Sequence, residues 1–138
     1  MSLFQVFDIS ATAMSAQSIR LNTIASNLAN AAVVSTTPEE AYRSRHPLFS
    51  TAVDSFMAAP DALGVKVDGV VESTVEPRKE YSPGHPMANE DGYIYRSNVD
   101  SVEEMTNMIS ASRSYQTNVQ LAESAKNMLN KTLTLGKS

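Results

Sequence analysis

The chain has 138 residues, a length that suits one domain with a core of its own. Its net charge is −4, only 19% of its residues are charged, and it has no cysteine. The acidic balance argues against nucleic acid as a partner, because phosphate binding needs a basic surface. The missing cysteine excludes disulfides, thiol catalysis and Cys-based zinc sites.

The opening "MSLFQVFDIS" lacks a basic stretch and a long apolar run, so no cleaved secretory signal is expected. No apolar run approaches the ~20 residues that span a bilayer. All six prolines (38, 47, 60, 77, 83, 86) and four of the five glycines (64, 69, 84, 92) lie between positions 38 and 92. This distribution predicts an α+β chain: an N-terminal helix within 1–32, a small β-rich middle domain over 33–97, and a C-terminal helix within 98–138.

The first helix is expected over 3–30, roughly 42 Å at 1.5 Å per residue. Ser2 and Gln5 have capping-box spacing, and Asn30 suits the end because Asn tolerates a left-handed cap. Phe4, Phe7, Ala11, Met14, Ser18, Leu21, Ala25 and Leu28 alternate spacings of three and four, the a/d seam of a coiled coil. Ile9, Ala13, Ala16 and Ile24 flank that seam and widen the apolar face.

The middle reads as short strands and turns. Thr37-Pro38 followed by Glu39-Glu40 has the signature of a single helical turn. Tyr42–Thr51 reads as a strand that Pro47 restricts to an edge or a bend. Leu63–Val75 alternates and then shifts phase at Asp68-Gly69, which fits a bulge within one strand slightly better than a hairpin turn. "GYIYRSNV" (92–99) reads as a last strand feeding the second helix.

That second helix is expected over 102–135, with Asp100-Ser101 as its cap and Glu103-Glu104 in its first turn. Met105, Met108, Ser112, Tyr115, Val119, Ala122, Lys126, Leu129 and Leu133 form its seam, and Leu121, Ala125, Met128 and Leu135 a second stripe. Gly136 suits its end.

Catalytic patterns are weak. His46 and His85 each precede a proline and have no helical metal spacing. "SPGHP" (82–86) lacks the lysine of a phosphate loop, and "NEDG" (89–92) lacks the ligand register of a calcium loop. The expectation is no catalytic residue, no cofactor and no metal; His85 with Asp91 is the weakest rival reading, an enzyme.

The informative anomaly is helices with almost no charge. Before Pro38 only Asp8 and Arg20 are charged, and from Met105 through Ala122 only Arg113 is. "RLNTIASNLANAAVVSTT" (20–37) is the extreme case, with Asn at 22, 27 and 30 among Ala, Ser, Leu and Ile. Soluble bundles usually place Glu and Lys on the outer face. Small uncharged residues instead allow neighbours to approach on several sides without desolvating an ion.

"SAQSIRLNTIASNLANA" (15–31) resembles the N-terminal signature of flagellar rod, hook and hook–filament junction proteins. "GYIYRSNVDSVEEMTNMISASRSYQTNVQ" (92–120) and "KTLTLG" (131–136) resemble their C-terminal signature. "GVKVDGVVES" and "PGHPMANEDGY" are similar to the proximal-rod branch of that family. Ser97 stands where the family usually carries proline, so the bend into the second helix is expected to be less rigid.

The resemblance implies a structural subunit of the bacterial flagellar basal-body rod, exported through the flagellar type III apparatus without signal cleavage. It implies a homo-oligomer within the rod, adjoining other proximal and distal rod proteins and the rod–ring adaptor FliE. Such a rod transmits torque through the periplasm and encloses the export channel, with no direct membrane span. The assembly interface is expected at Met14, Leu21, Asn22, Ala25, Ser26, Asn27, Leu28 and Asn30 on the first helix. On the second it is expected at Glu104, Met105, Met108, Ile109, Arg113, Tyr115, Gln116 and Val119. The Asn residues, Arg113 and Gln116 would set register by hydrogen bonds between subunits. The alternative is a discrete soluble helical adaptor or secretion chaperone.

Overall fold

A computed structural model describes residues 3–53 and 63–136 of the chain. Helix α1 runs Leu3–Asn30 and helix α2 runs Ser101–Leu135. Both fall where the sequence lacks Gly and Pro. Asp100 caps α2: its carboxylate accepts from the Val102 amide at 2.9 Å and the Glu103 amide at 3.2 Å. Glu103 and Glu104 then complement the helix dipole. At the far end the Gly136 amide donates to the Thr132 carbonyl at 3.1 Å. The capping box expected at Ser2 lies outside the described residues.

Asn30 ends α1 without the expected left-handed cap, since no described non-glycine residue has positive φ. Its side-chain amide instead donates back to the Ser26 carbonyl, one turn earlier in the helix, at 2.8 Å.

The helices pack antiparallel: Asn27 meets Glu104 at one end, and Leu3 and Phe7 meet Ala125 and Leu129 at the other. On α1 the buried residues fall beside the expected seam, whereas on α2 the seam residue Ala122 is buried. The buried residues are Ser10, Ala16, Thr23, Ile24 and Asn27 on α1, and Glu104, Ala111, Ala122 and Ala125 on α2. Phe4, Phe7, Ala11, Ser18 and Ala25 are exposed, and Met14, Leu21 and Leu28 are half-buried. On α1 the small seam residues Ala11, Ser18 and Ala25 face outward with Phe4 and Phe7, while the flanking stripe that carries Ile24 turns inward.

The middle forms two separate sheets. Strands β1 (Val34–Ser35), β4 (Arg78–Tyr81) and β5 (Tyr93–Arg96) order as β1-β5-β4, and β2 (Arg45–Val53) pairs with β3 (Leu63–Glu72). All pairings are antiparallel. Leu48 pairs with Gly69 and Phe49 with Val67, so Asp68 is the extra residue of a bulge inside one long strand, in agreement with the phase shift. Pro47 is accommodated because a two-stranded sheet leaves every strand an edge.

Three expectations shift. Pro38–Glu40 form a turn with no helix after it. Strand β2 starts at Arg45; at Ser44 the carbonyl still accepts from the Ser73 amide at 2.8 Å, while the amide donates to Asn98 Oδ1 at 2.7 Å. Strands β1 and β4 have no counterpart in the sequence pattern, since two residues carry no period and the side chains of "RKEY" are all exposed. Strand β4 is held by ladder bonds, by an Arg96–Glu80 ion pair and by edge packing of Tyr81 on Tyr93 at 5.2 Å.

The β2–β3 hairpin lies on α1. Thr12 Oγ1 accepts from the Val65 amide at 3.3 Å. A Cβ on Gly64 would sit 3.0 Å from that same oxygen, so the close approach requires glycine. At the entry to α2, the Ser97 amide donates to the Val33 carbonyl at 3.3 Å, a bond that proline could not make. The Ser97 hydroxyl accepts from the Val99 amide at 3.2 Å.

Candidate assembly surface

The most constrained residue of the SNLANA stretch is Asn27, which is fully buried. Its Nδ2 donates to the Arg45 carbonyl and to Glu104 Oε1, both at 2.9 Å. Its Oδ1 accepts from the Arg45 amide at 2.9 Å and from the Tyr42 hydroxyl at 3.0 Å. Two donors and two acceptors exhaust an amide's capacity. Asn27 therefore ties α1 to α2 and to the start of β2, and nothing on it remains for another subunit. Ser26 Oγ lies 3.3 Å from the same Tyr42 hydroxyl, and the Arg45 guanidinium stacks 5.6 Å from the Tyr42 ring centre.

The remaining interface candidates divide by position. Asn22, Ala25, Met105, Ile109, Arg113, Tyr115 and Gln116 are exposed. Met14, Leu21, Ser26, Leu28, Asn30, Met108 and Val119 are half-buried, and Glu104 is buried with Asn27. Sequence reasoning missed Val102, which at 75% exposed extends the Met105–Ile109 stripe by one turn. A three-residue step back from Met105 would have found it.

Two outward faces result. On α1, Ala11, Ser15, Ser18, Asn22, Ala25 and Ala29 are all exposed along one stripe of small residues, with Phe4 and Phe7 below it. On α2, Val102, Met105 and Ile109 project bulky apolar side chains, and Leu121, Met128, Leu133 and Leu135 do so nearer its end. Isolated exposed apolar residues are ordinary; an uncharged stripe along α1 beside clusters of exposed bulky apolar side chains on α2 is not.

The histidines and turn acids serve local structure. His85 Nδ1 accepts from the Met87 amide at 3.1 Å, and His46 Nε2 lies 3.3 Å from Ser44 Oγ. Asn89 Oδ1 accepts from the Asp91 and Tyr93 amides at 3.1 and 2.8 Å, closing the turn that Gly92 completes at φ +80°. Among the described residues no three His, Asp or Glu side chains gather as a metal would require. No described helix is long and apolar enough to cross a membrane. Asp68 is the titrating group with a clear displacement. Hydrogen bonds from the Ser50 hydroxyl and then from Lys66 hold its carboxyl below its ordinary value.

Two long terminal helices packed together around a β region, with exposed apolar and small uncharged residues on both, define an α+β chain. Comparison with known proteins gives that class its family. Residues 7–34 match the model "Flagella basal body rod protein", and residues 90–135 match "Flagellar basal body rod FlgEFG protein C-terminal". The chain is 47% identical over 138 residues to the flagellar basal-body rod protein FlgC of Escherichia coli O6:H1. It is equally similar to that of Salmonella typhimurium, and 43% identical over 136 residues to that of Yersinia enterocolitica. Each alignment covers 99% of both chains. The chain belongs to the flagellar basal-body rod protein family.

Proposed function

We propose that this structural rod protein polymerises in the proximal rod through the outward faces of its terminal helices. In this reading 1–32 and 98–138 form the axial core, and 33–97 form a β-rich outer domain. The observation that carries it is the pair of uncharged outer stripes, small on α1 and bulky on α2. Bulky side chains of one subunit fit against the small-residue stripe of the next, and each buried leucine-sized side chain contributes roughly 1.5–3 kcal/mol.

The neighbours are further copies of this chain, other proximal and distal rod proteins and the rod–ring adaptor FliE. Delivery is by the flagellar type III export apparatus without a cleaved signal. The assembled rod transmits torque and encloses the export channel. The role needs no catalytic step, and the relatives are named as rod proteins. The names of the relatives lend the discrete adaptor or chaperone no support.

Ile109, 57% exposed, is the residue to change. Ile109→Asp should leave the melting of the purified chain unaltered and abolish incorporation into basal bodies. A motile strain with normal incorporation of that variant would overturn the reading.

A further inference from the structure

Glu104 is only 4% exposed. Its Oε1 accepts from Asn27 Nδ2, a neutral donor. The ion pairs among the described residues, Arg45–Glu72, Lys66–Asp68 and Arg96–Glu80, do not include it. Its Oε2 carries no hydrogen bond among the described residues, yet it is not sealed off: the one sealed side-chain polar atom without a partner there is Gln17 Oε1. Oε2 therefore opens onto the adjoining space. A withdrawn carboxylate normally has a cation beside it, because a neutral donor returns only part of the lost hydration.

On the side of Asp100 and Glu103 the space beside it is mainly acidic. A cavity of about 380 Å³ is lined by Asp100, Glu103 and Glu104 against Arg78 and His46. A second, of about 360 Å³, shares His46 and Glu104 and is lined also by Arg20 and Arg45, whose guanidinium groups donate instead to Asn107 Oδ1 at 3.3 Å and to Glu72 Oε1 at 2.9 Å. The opposite end of α2 carries the complementary charge. Lys126 and Lys131 are exposed and belong to none of those ion pairs. Since Leu3 lies beside Leu129, the turn bearing Lys131 runs past the described start of α1.

We propose that Glu104 and the cavity above it receive a lysine or arginine side chain from the C-terminal helix end of an adjacent rod subunit. The proposal rests on the reading of the chain as a polymerising rod subunit. Head-to-tail contact brings the basic end of one such helix to the acidic start of the next, and a heterologous contact of this kind builds a ring or a helical array of subunits. The cavity supplies the electrostatic register, while the uncharged stripes supply area.

The test places a benzoylphenylalanine photoprobe at position 103 of the full-length chain in flagellated cells and identifies its cross-links in purified basal bodies. The expected partner is a rod-subunit peptide within one helical turn of a Lys or Arg. Glu104→Gln keeps an acceptor for Asn27, and in rods carrying it the yield should fall at least about tenfold. A cross-link to an uncharged segment, to this chain's own surroundings of Arg20, or to nothing overturns the proposal. So does an unchanged yield in Glu104→Gln. The identity of the cross-linked peptide without that substitution decides the case even if Glu104→Gln rods fail to form. Normal incorporation with the wrong cross-link would leave the rod-subunit reading intact.

Discussion

The side-chain amide of Asn27 lies 2.9 Å from the carboxylate of Glu104, joining the two terminal helices across 77 positions of sequence. The same amide accepts from Tyr42 and makes both hydrogen bonds to the Arg45 backbone. A polar residue in the middle of an apolar, uncharged stretch thus serves as an internal clamp.

Asn27→Ala should lower the stability of the purified chain by about 2–4 kcal/mol, because it strands several buried partners at once. Asn27→Asp should cost more, since it sets a second carboxylate against Glu104. Urea denaturation of both variants beside the parent checks the order; an Asp variant as stable as the parent would refute the clamp.

Gln17 predicts a change of the opposite sign. Its Oε1 is buried without a hydrogen-bond partner among the described residues. Gln17→Met preserves length, removes the orphaned acceptor and should raise stability by about 1 kcal/mol. The shift in thermal midpoint measures it directly.

The contact of the β2–β3 hairpin with α1 depends on Gly64. A Cβ there would meet Thr12 Oγ1 at 3.0 Å, the atom that accepts from the Val65 amide. Gly64→Ala should destabilise by about 1 kcal/mol. In a Thr12→Ala background most of that cost should vanish, and a double-mutant cycle reads the coupling.

Asp68 gives a pH signature. Its carboxyl is held down by the Ser50 hydroxyl and by Lys66, so the folded form binds its proton less readily than the unfolded chain does. The stabilisation it lends is present above the ordinary carboxylate range and is lost as pH falls through the lowered value. Ser50→Ala should move the Asp68 titration, followed by NMR, back toward the ordinary value.

The local features of this protein are legible in its residue order. A long stretch free of Gly and Pro with helical spacing makes a helix, and α1 spans Leu3–Asn30 accordingly. Asp100 is marked as a cap by the two glutamates that follow its neighbours, and the phase shift at Asp68-Gly69 marks the bulge. These are consequences of covalent spacing and backbone sterics acting within a few residues. Strand β4 escapes such a reading because four exposed side chains leave no alternation.

Periodicity shows that a helix has an apolar stripe, but it does not say what covers the stripe. Phe4, Ala11, Ser18 and Ala25 belong to the regular seam of α1, yet the chain buries the neighbouring Ser10, Ala16, Thr23, Ile24 and Asn27. Only tertiary packing could choose, because α2 and the β2–β3 hairpin, which cover α1, come from segments distant in sequence. The same holds for the asparagines. Their type and spacing come from the sequence, whereas the division of roles among them follows from contacts between distant segments. Asn27 meets Glu104 and Arg45, Asn30 turns back on its own helix, and Asn22 faces outward.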